Sequence, residues 1–453
     1  MQNKEFLGTE PIGKLLLKMA IPTVLAQLVN MLYNIVDRIF IGHIEGVGDY
    51  ALTGVGICMP IIMAVSAFAA LISIGGAPRA SICLGEGKQK EAERILGNCF
   101  SLQIIVSLIL TGLILIFNKD LLMAFGASEN TIGYATDYMG IYAIGTIAVQ
   151  LTLGMNAYIT AQGATKVSMI SVLIGAISNI VLDPIFIYVF KMGVKGAALA
   201  TIISQAISCV WALRFLLGSK TVLKIRKENL RISAHVVLPC IALGLAQFIM
   251  QISESVISVC FNSSLQGYGG DIAVGAMTIL TSVMQFAMLP LQGVAQGAQP
   301  IISYNYGAKN KDRVKQSFFL LLRVSLIYSV TLWACIMLFP TAFATIFTSK
   351  PELIEFTSGA LRIYCAALLI FGMQVAAQMT FISLGKALSS ITVAVVRKFV
   401  LLIPLIYIGP HFVSDKTMGV YLAEPIADAL AVTFTAILFV FQFRKALKEM
   451  DRI

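Results

Sequence analysis

Residues 99–117 read CFSLQIIVSLILTGLILIF, nineteen residues with no charged side chain. A helix needs about 20 apolar residues to cross a bilayer, so this stretch alone points to lipid as the solvent. It is not isolated. Residues 51–78, 167–182 and 325–347 carry no charge either. Across all 453 residues, 58% are hydrophobic and only 12% charged, with mean hydropathy +0.86. A soluble domain carries roughly 25% charged residues, so this chain cannot solvate a globular surface. The hydrophobic pattern divides into twelve expected helices: 14–42, 51–84, 91–117, 131–161, 165–190, 194–218, 233–263, 272–305, 312–340, 354–383, 387–409 and 417–446. The expected fold class is an all-α polytopic membrane protein.

The charge of +10 is distributed by side. Assigning alternate loops to opposite faces puts 21 Lys and Arg on one side, from Lys4 through Lys88, Lys90, Arg94 and the 219–233 segment to Arg452. The other side holds Lys119, Lys191, Lys195, Lys350 and Lys416. The positive-inside rule then places both termini in the cytoplasm of a multi-pass protein of the cell membrane. A nucleic-acid-binding face would not alternate with apolar spans, so no nucleic acid partner is expected. The first apolar segment is too long for a cleaved signal peptide and acts as its own insertion signal. The eight cysteines form no CxxC pair and read as small apolar fillers. The three histidines, His43, His235 and His411, fall near helix ends and suggest no metal site.

The chain repeats itself. Gly163 and Gly385 are 222 residues apart, as are Ile141-Tyr142 and Ile363-Tyr364. The basic turn Lys88-Gln89-Lys90 resembles Lys309-Asn310-Lys311. Six helices per half is an even number, so both halves insert the same way up. The expectation is two six-helix bundles related by a pseudo-two-fold axis along the membrane normal. The parsing is 1–218 for the first bundle, 219–233 for a cytoplasmic linker and 234–453 for the second bundle.

Polar residues inside the spans mark the candidate site. Asn30, Asn34 and Asp37 share one face of helix 1 at i, i+4, i+7. Gln247, Gln251 and Glu254 do the same on helix 7, and 247 − 30, 251 − 34 and 254 − 37 all equal 217. An Asp at a helix centre costs about 2.5–3.5 kcal/mol on insertion scales, so such acids usually face a bundle interior or a water-filled path. Asn179 and Asp183 share a face of helix 5 just before Pro184. Asp37, Asp183, Asn34 and Asn179 could together form an oxygen-rich pocket able to hold H⁺ or Na⁺, with a static polar pin as the bland alternative. Arg38 could neutralise either acid. The second half lacks this arrangement, because Ile403 stands opposite Asp183. Helix 11 instead carries Arg397 and Lys398, and helix 12 carries Glu424 and Asp428; with Glu254 these could form an ion-paired network. On helix 8, Gln285, Gln292, Gln296 and Gln299, flanked by Met277, Met284 and Met288, suit a wet cleft for amphipathic ligands or, alternatively, helix packing. Gly75-Gly76, Gly293 and Gly297 read as positions of close helix packing or of kinks. No GxxxxGK[ST], HExxH or GxSxG motif occurs, so nothing points to an enzyme or to a built-in ATPase.

The chain resembles the MATE (multidrug and toxic compound extrusion) transporters along nearly all its length. The resemblance rests on the six-plus-six repeat, on Tyr33-Asn34-Ile35-Val36-Asp37 with Phe40-Ile41-Gly42, on Gln162-Gly163-Ala164-Thr165-Lys166, and on Asn179 with Asp183-Pro184. It implies a V-shaped pair of bundles around a central cleft, exporting small organic cations in exchange for H⁺ or Na⁺, with no cofactor and as a monomer. It implies an ion site at Asp37, Asn179 and Asp183, with Tyr33 beside them and Thr201 as a weaker match. The NorM branch adds acids on helices 7 and 10. Glu254 fits the first, but the helix 10 acid here is Glu355, at the outer end. The resemblance is therefore nearer the MepA/DinF-like branches. Two rival readings remain. A lipid-linked oligosaccharide flippase would need Arg and Lys along its cleft, where this chain offers acids and amides. A membrane prenyltransferase would need clustered Asp pairs, and there is no DxxxD cluster.

Overall fold

The computed structural model describes residues 6–451, so Lys4 and Arg452 of the charge count lie outside the described residues. Every long apolar run becomes a helix: α1 (Ile12–Gly42), α2 (Gly48–Gly85), α3 (Gln89–Ala124), α4 (Ile132–Ala161), α5 (Thr165–Val189) and α6 (Val194–Leu217). Residues Ala234–Gly307 run helically without a loop, and the break comes at Gly270, whose φ of 62° ends α7 (234–269) and starts α8 (271–307). Only glycine adopts that conformation without strain. A loop near 264–271 was the sequence expectation; one residue suffices. Then follow α9 (Lys311–Leu338), α10 (Pro351–Tyr364 with Leu368–Ser383, bent by 53°), α11 (Ala387–His411) and α12 (Lys416–Glu449). Counting α7 and α8 separately gives the twelve helices expected.

The repeat is written in backbone conformation. Gly163 and Gly385 both have positive φ, 85° and 69°, at the start of equivalent helices. Gly87 and Lys309, also 222 apart, have φ of 76° and 57°. A lysine in the left-handed region is unusual, and its occurrence opposite a glycine shows that the turn geometry is the shared feature. α5 and α11 each contain a π-helical segment, Ile185–Val189 and Val396–Leu402.

The helices gather into two bundles, α1–α6 and α7–α12, which meet at the end where the chain begins. There the contact is backbone to backbone. A Cβ on Gly297 would lie 2.6 Å from Ala20 Cα, and one on Gly293 2.6 Å from Val24 Cα. A Cβ on Gly75 would overlap the Cys240 carbonyl, and one on Gly244 the Leu71 carbonyl. Thr23 Oγ1 donates to Gly293 O at 2.6 Å and Gln27 Nε2 to Gln296 Oε1 at 3.0 Å. Leu15, Leu16 and Met19 of α1 are buried in one apolar cluster with Phe318, Phe381 and Phe439 of the second bundle. A short helix, Phe6–Thr9, lies across this end: Arg313 donates to the carbonyls of Leu7 (3.0 Å) and Glu10 (2.7 Å). Lys18 beside Glu10 holds that carboxyl below its usual value.

The segment between α6 and α7 is pinned to the first bundle. Gln162 Oε1 accepts from Thr221 Oγ1 at 2.8 Å and from the backbone N–H of Val222 (2.8 Å) and Leu223 (3.2 Å). Arg226 pairs with the buried Glu93 at 2.5 Å, and Asn98 accepts from the Ser233 N–H at 2.7 Å.

Candidate functional site

Three helices of the first bundle converge on a small polar pocket. On α1 the positions that touch the second bundle, Ala20 and Val24, fix the helix phase. At about 100° per residue, Asn34 lies about 40° from Ala20 and faces the other bundle. Tyr33 and Asp37 lie about 100–140° away and turn into their own bundle. Asp37 is 9% exposed, Asn179 1% and Asp183 0%. Asn179 Nδ2 donates to Asp183 Oδ1 at 3.3 Å. The Asp37 and Asp183 carboxyls are electrostatic neighbours. Asp37 Oδ1, Asp183 Oδ2 and Asn179 Oδ1 are buried without a hydrogen-bond partner. Tyr33 stands beside both acids and reaches Gln205 of α6. Thr201 is half-buried one turn before Gln205; its hydroxyl donates to Ala197 O at 3.0 Å and is close to Tyr138.

Two expectations change. Asn34 is not inside the pocket: it is exposed, and its amide donates to Asn30 O at 2.6 Å. It borders the pocket on the side facing the second bundle. Arg38 neutralises neither acid by an ion pair; its guanidinium reaches the Met59 sulfur at 3.4 Å. Gln205 and Tyr138 were missed. The α6 repeat Thr201, Ser204, Gln205, Ser208 at helical spacing carried the signal for the first.

Beyond the contact zone, polar side chains on the facing sides of the two bundles are partly or fully exposed. Phe68 of α2 meets Phe248 of α7 at 5.0 Å between ring centroids. On α7, Cys240 and Gly244 touch the first bundle, and Gln247, Gln251 and Glu254 fall within about 40° of the Cys240 direction. All three reach solvent, and the Glu254 side chain is 56% exposed. On α8, Gln285 and Gln292 are exposed within about 40° of Gln296, which already bonds across to Gln27. Asn30 is exposed on α1. Three residues placed on this stripe by spacing belong elsewhere. Met284 turns about 120° away from Gln296, packs with the second bundle's core and accepts the Cys365 thiol at 3.6 Å. Met288 packs against the same core. Gln299 is buried, bonding Ser303 at 3.0 Å. Spacing placed these side chains on one sector but not their phase against the bundle.

In the second bundle the expected ion network forms, divided between two bases. Arg397 Nε donates to Asp428 at 2.7 Å and its Nη2 to Glu424 at 3.3 Å, with the guanidinium 4.7 Å from the Phe371 ring centre. Lys398 Nζ donates to Glu254 at 2.6 Å. Arg397 and Lys398 are 8% and 3% exposed. Neither presents a positive surface to the cleft.

Two six-helix bundles that meet at one end define the architecture of a membrane transporter. The MatE family matches twice, over residues 22–185 and 246–408, once in each bundle. The chain belongs to that family, whose members are transporters and not enzymes. Similar proteins include the multidrug export protein MepA of Staphylococcus haemolyticus, 24% identical over 80% of this chain and 79% of that one. The FAD transporter of Shewanella oneidensis is 24% identical over 95% of both chains. Among solved structures, a MATE transporter in the bent conformation superposes with a TM-score of 0.93 at 22% identity, covering 100% of this chain and 99% of that one. An outward-facing multidrug resistance MATE transporter gives 0.90 at 23%, over 100% and 99%.

Proposed function

We propose that this protein exports amphipathic organic cations from the cell in exchange for H⁺ or Na⁺ by alternating access. Asp37, Asp183 and Asn179 would hold the coupling ion, with Tyr33 and Thr201 beside them. The observation that carries this reading is the cluster of buried, unpartnered oxygens shared by two carboxyls. Two such carboxylates in a low-dielectric pocket cannot both ionise cheaply without a counter-charge. The donor set is all hard oxygen, which fits a proton or Na⁺ and no softer ion. Binding the ion in one bundle state and releasing it in the other supplies the differential stabilisation a cycle needs.

Cargo would enter the cleft bordered by Asn30, Asn34, Gln247, Gln251, Glu254, Gln285 and Gln292. Its amides and one exposed acid favour cations over anions. A flippase for lipid-linked oligosaccharide phosphates is disfavoured because Arg397 and Lys398 are buried and paired. We place the termini and the 219–233 linker in the cytoplasm, so the open cleft faces outward, and we take the functional unit to be a monomer.

The test is efflux of ethidium from vesicles under separately imposed proton and sodium gradients. Asp183→Asn should insert and fold but lose gradient-driven export. Glu254→Gln should keep a measurable fraction. Normal export by Asp183→Asn with a dead Glu254→Gln would put the ion site in the second bundle and overturn the assignment.

A further inference from the structure

We propose that Lys398 is a tethered internal cation that occupies the substrate subsite at Glu254, and that an organic ammonium ligand displaces it. The inference rests on the cation-cleft reading and names a subsite within it.

Glu254 and Lys398 differ sharply in exposure. The Glu254 side chain is 56% exposed on the cleft-facing side of α7, while the Lys398 side chain is 4% exposed inside the second bundle. A structural pin would bury both partners. Here the carboxylate is presented to the cleft, and the ammonium reaches it from behind at 2.6 Å. A cleft ligand therefore meets a carboxylate whose ion-pair partner is an ammonium, the same chemistry an amine cargo would bring.

The displaced lysine has somewhere to go. Glu424 lies within electrostatic reach of Lys398 and shares Arg397 with Asp428. The Arg397 Nη2 to Glu424 bond is the long one of the pair, 3.3 Å against 2.7 Å to Asp428. Glu424 is thus the less tightly held carboxylate. Lys398 also sits in the π-helical segment Val396–Leu402. Such segments are rare and occur often at functional sites. The segment turns consecutive side chains, Arg397 and Lys398, both into the bundle.

The charge count agrees. Glu254, Glu424 and Asp428 face Arg397 and Lys398, three acids against two bases, with Tyr364 and Cys365 the other titratable groups beside them. With all five ionised the cluster carries −1. A single monovalent cation at Glu254 brings it to zero, with Lys398 moved to Glu424.

A subsite filled by its own lysine has reduced apparent affinity. If Lys398 holds Glu254 about 90% of the time, the ligand's dissociation constant is raised about tenfold, since only the competent fraction binds. Removing the ammonium removes that competition. The experiment is equilibrium binding of ethidium to the purified full chain in detergent, with N-phenylnaphthylamine as a neutral amphipathic control. Lys398→Gln should bind ethidium about tenfold more tightly and leave the neutral probe unchanged. It should fold, because it frees only a water-exposed carboxylate and leaves Arg397 with both acids. Glu254→Gln, the second variant, should bind ethidium about tenfold more weakly with no change for the neutral probe. If Lys398→Gln binds ethidium no more tightly than the wild type, or tightens for both probes alike, Lys398 is a structural partner and the inference is overturned. If Lys398→Gln does not fold, unchanged ethidium binding by Glu254→Gln overturns it. If the wild type and both variants bind the neutral probe and none of them binds ethidium, the cation-cleft reading itself falls.

Discussion

Gly297→Ala places one methyl group where the two bundles meet. The added Cβ would stand 2.6 Å from Ala20 Cα, 2.7 Å from Ala20 N and 2.9 Å from Met19 C. Carbon atoms rest at about 3.5–4.0 Å, so α8 and α1 must part by about 1 Å. All three obstructing atoms are backbone, so no rotamer change relieves the clash. Overpacking of this kind costs about 1–3 kcal/mol. Alanine's higher helix propensity, about 1 kcal/mol over glycine, applies whether the bundles touch or not and cancels between the two states. The substitution should therefore shift the balance away from the state closed at this end by about 5- to 150-fold, at 1.4 kcal/mol per factor of ten. Cys240 is the reporter. It is buried in the same interface but on α7, against α2, so it senses bundle separation and not local crowding. Maleimide is added to inverted vesicles, and labelling of the Cys240 peptide is followed by mass spectrometry. Gly297→Ala should label at least about fivefold faster, the lower bound of that shift. Gly112→Ala, with nothing within 4 Å of its Cβ, should match the wild type. Equal rates for Gly297→Ala and the wild type would mean that the interface relaxes locally, and that this contact does not set the balance of states.

Other outcomes follow from the same geometry. A cysteine at Ile225, in the linker held by Gln162 and Arg226, should react with an impermeant reagent only from the cytoplasmic side; labelling from outside in intact cells would reverse the topology. Gln247→Ala, Gln251→Ala, Gln285→Ala and Gln292→Ala should each change relative export of different cations by about two- to tenfold at unchanged expression, since a promiscuous surface spreads specificity over weak contacts. Uniform loss across all cargo would place those amides in structural roles. Gln162→Ala should lower thermal stability by about 1–3 kcal/mol, because it leaves the Val222 and Leu223 N–H groups without their shared acceptor; an unchanged melting temperature would mean that water replaces the amide.

The twelve spans were legible because hydropathy is a property of whole segments, and a chain that cannot solvate its surface has few architectures open to it. The parallel repeat was legible in turn residues such as Gly163 and Gly385, where backbone conformation restricts the side chain. The single-residue break at Gly270 was not, because it carries no loop composition around it. Asp37, Asn179 and Asp183 could be found by cost: a buried acid without a reason is expensive, and two on facing helices demand an explanation. Gln205 and Tyr138 carry no such penalty and pass as ordinary residues of apolar helices. Met284 and Met288 show the converse limit. Their spacing put them beside Gln285 and Gln292, but spacing is relative, and only a contact such as that of Gly293 with Val24 anchors the absolute phase.

The two bundles share a backbone and differ in how their buried charge is balanced. The first holds two carboxyls and no buried base in its pocket, since Arg38 turns to Met59. On the proposed reading its counter-charge comes from solution, and its state follows the ion gradient. The second holds three carboxylates against two bases of its own, and exposes one acid to the cleft. On the displacement proposal its state need not follow the gradient, and would be set by whatever competes with Lys398 for Glu254. Had both pockets drawn on the same solution cation, either could trigger the transition without cargo. On the two proposals together, placing Ile403 opposite Asp183, and Lys398 behind Glu254, would separate the two inputs: one bundle would read the driving ion, the other the cargo. The glycine interface between α1, α2, α7 and α8 is where both must act, because it is the part of the structure that has to come apart.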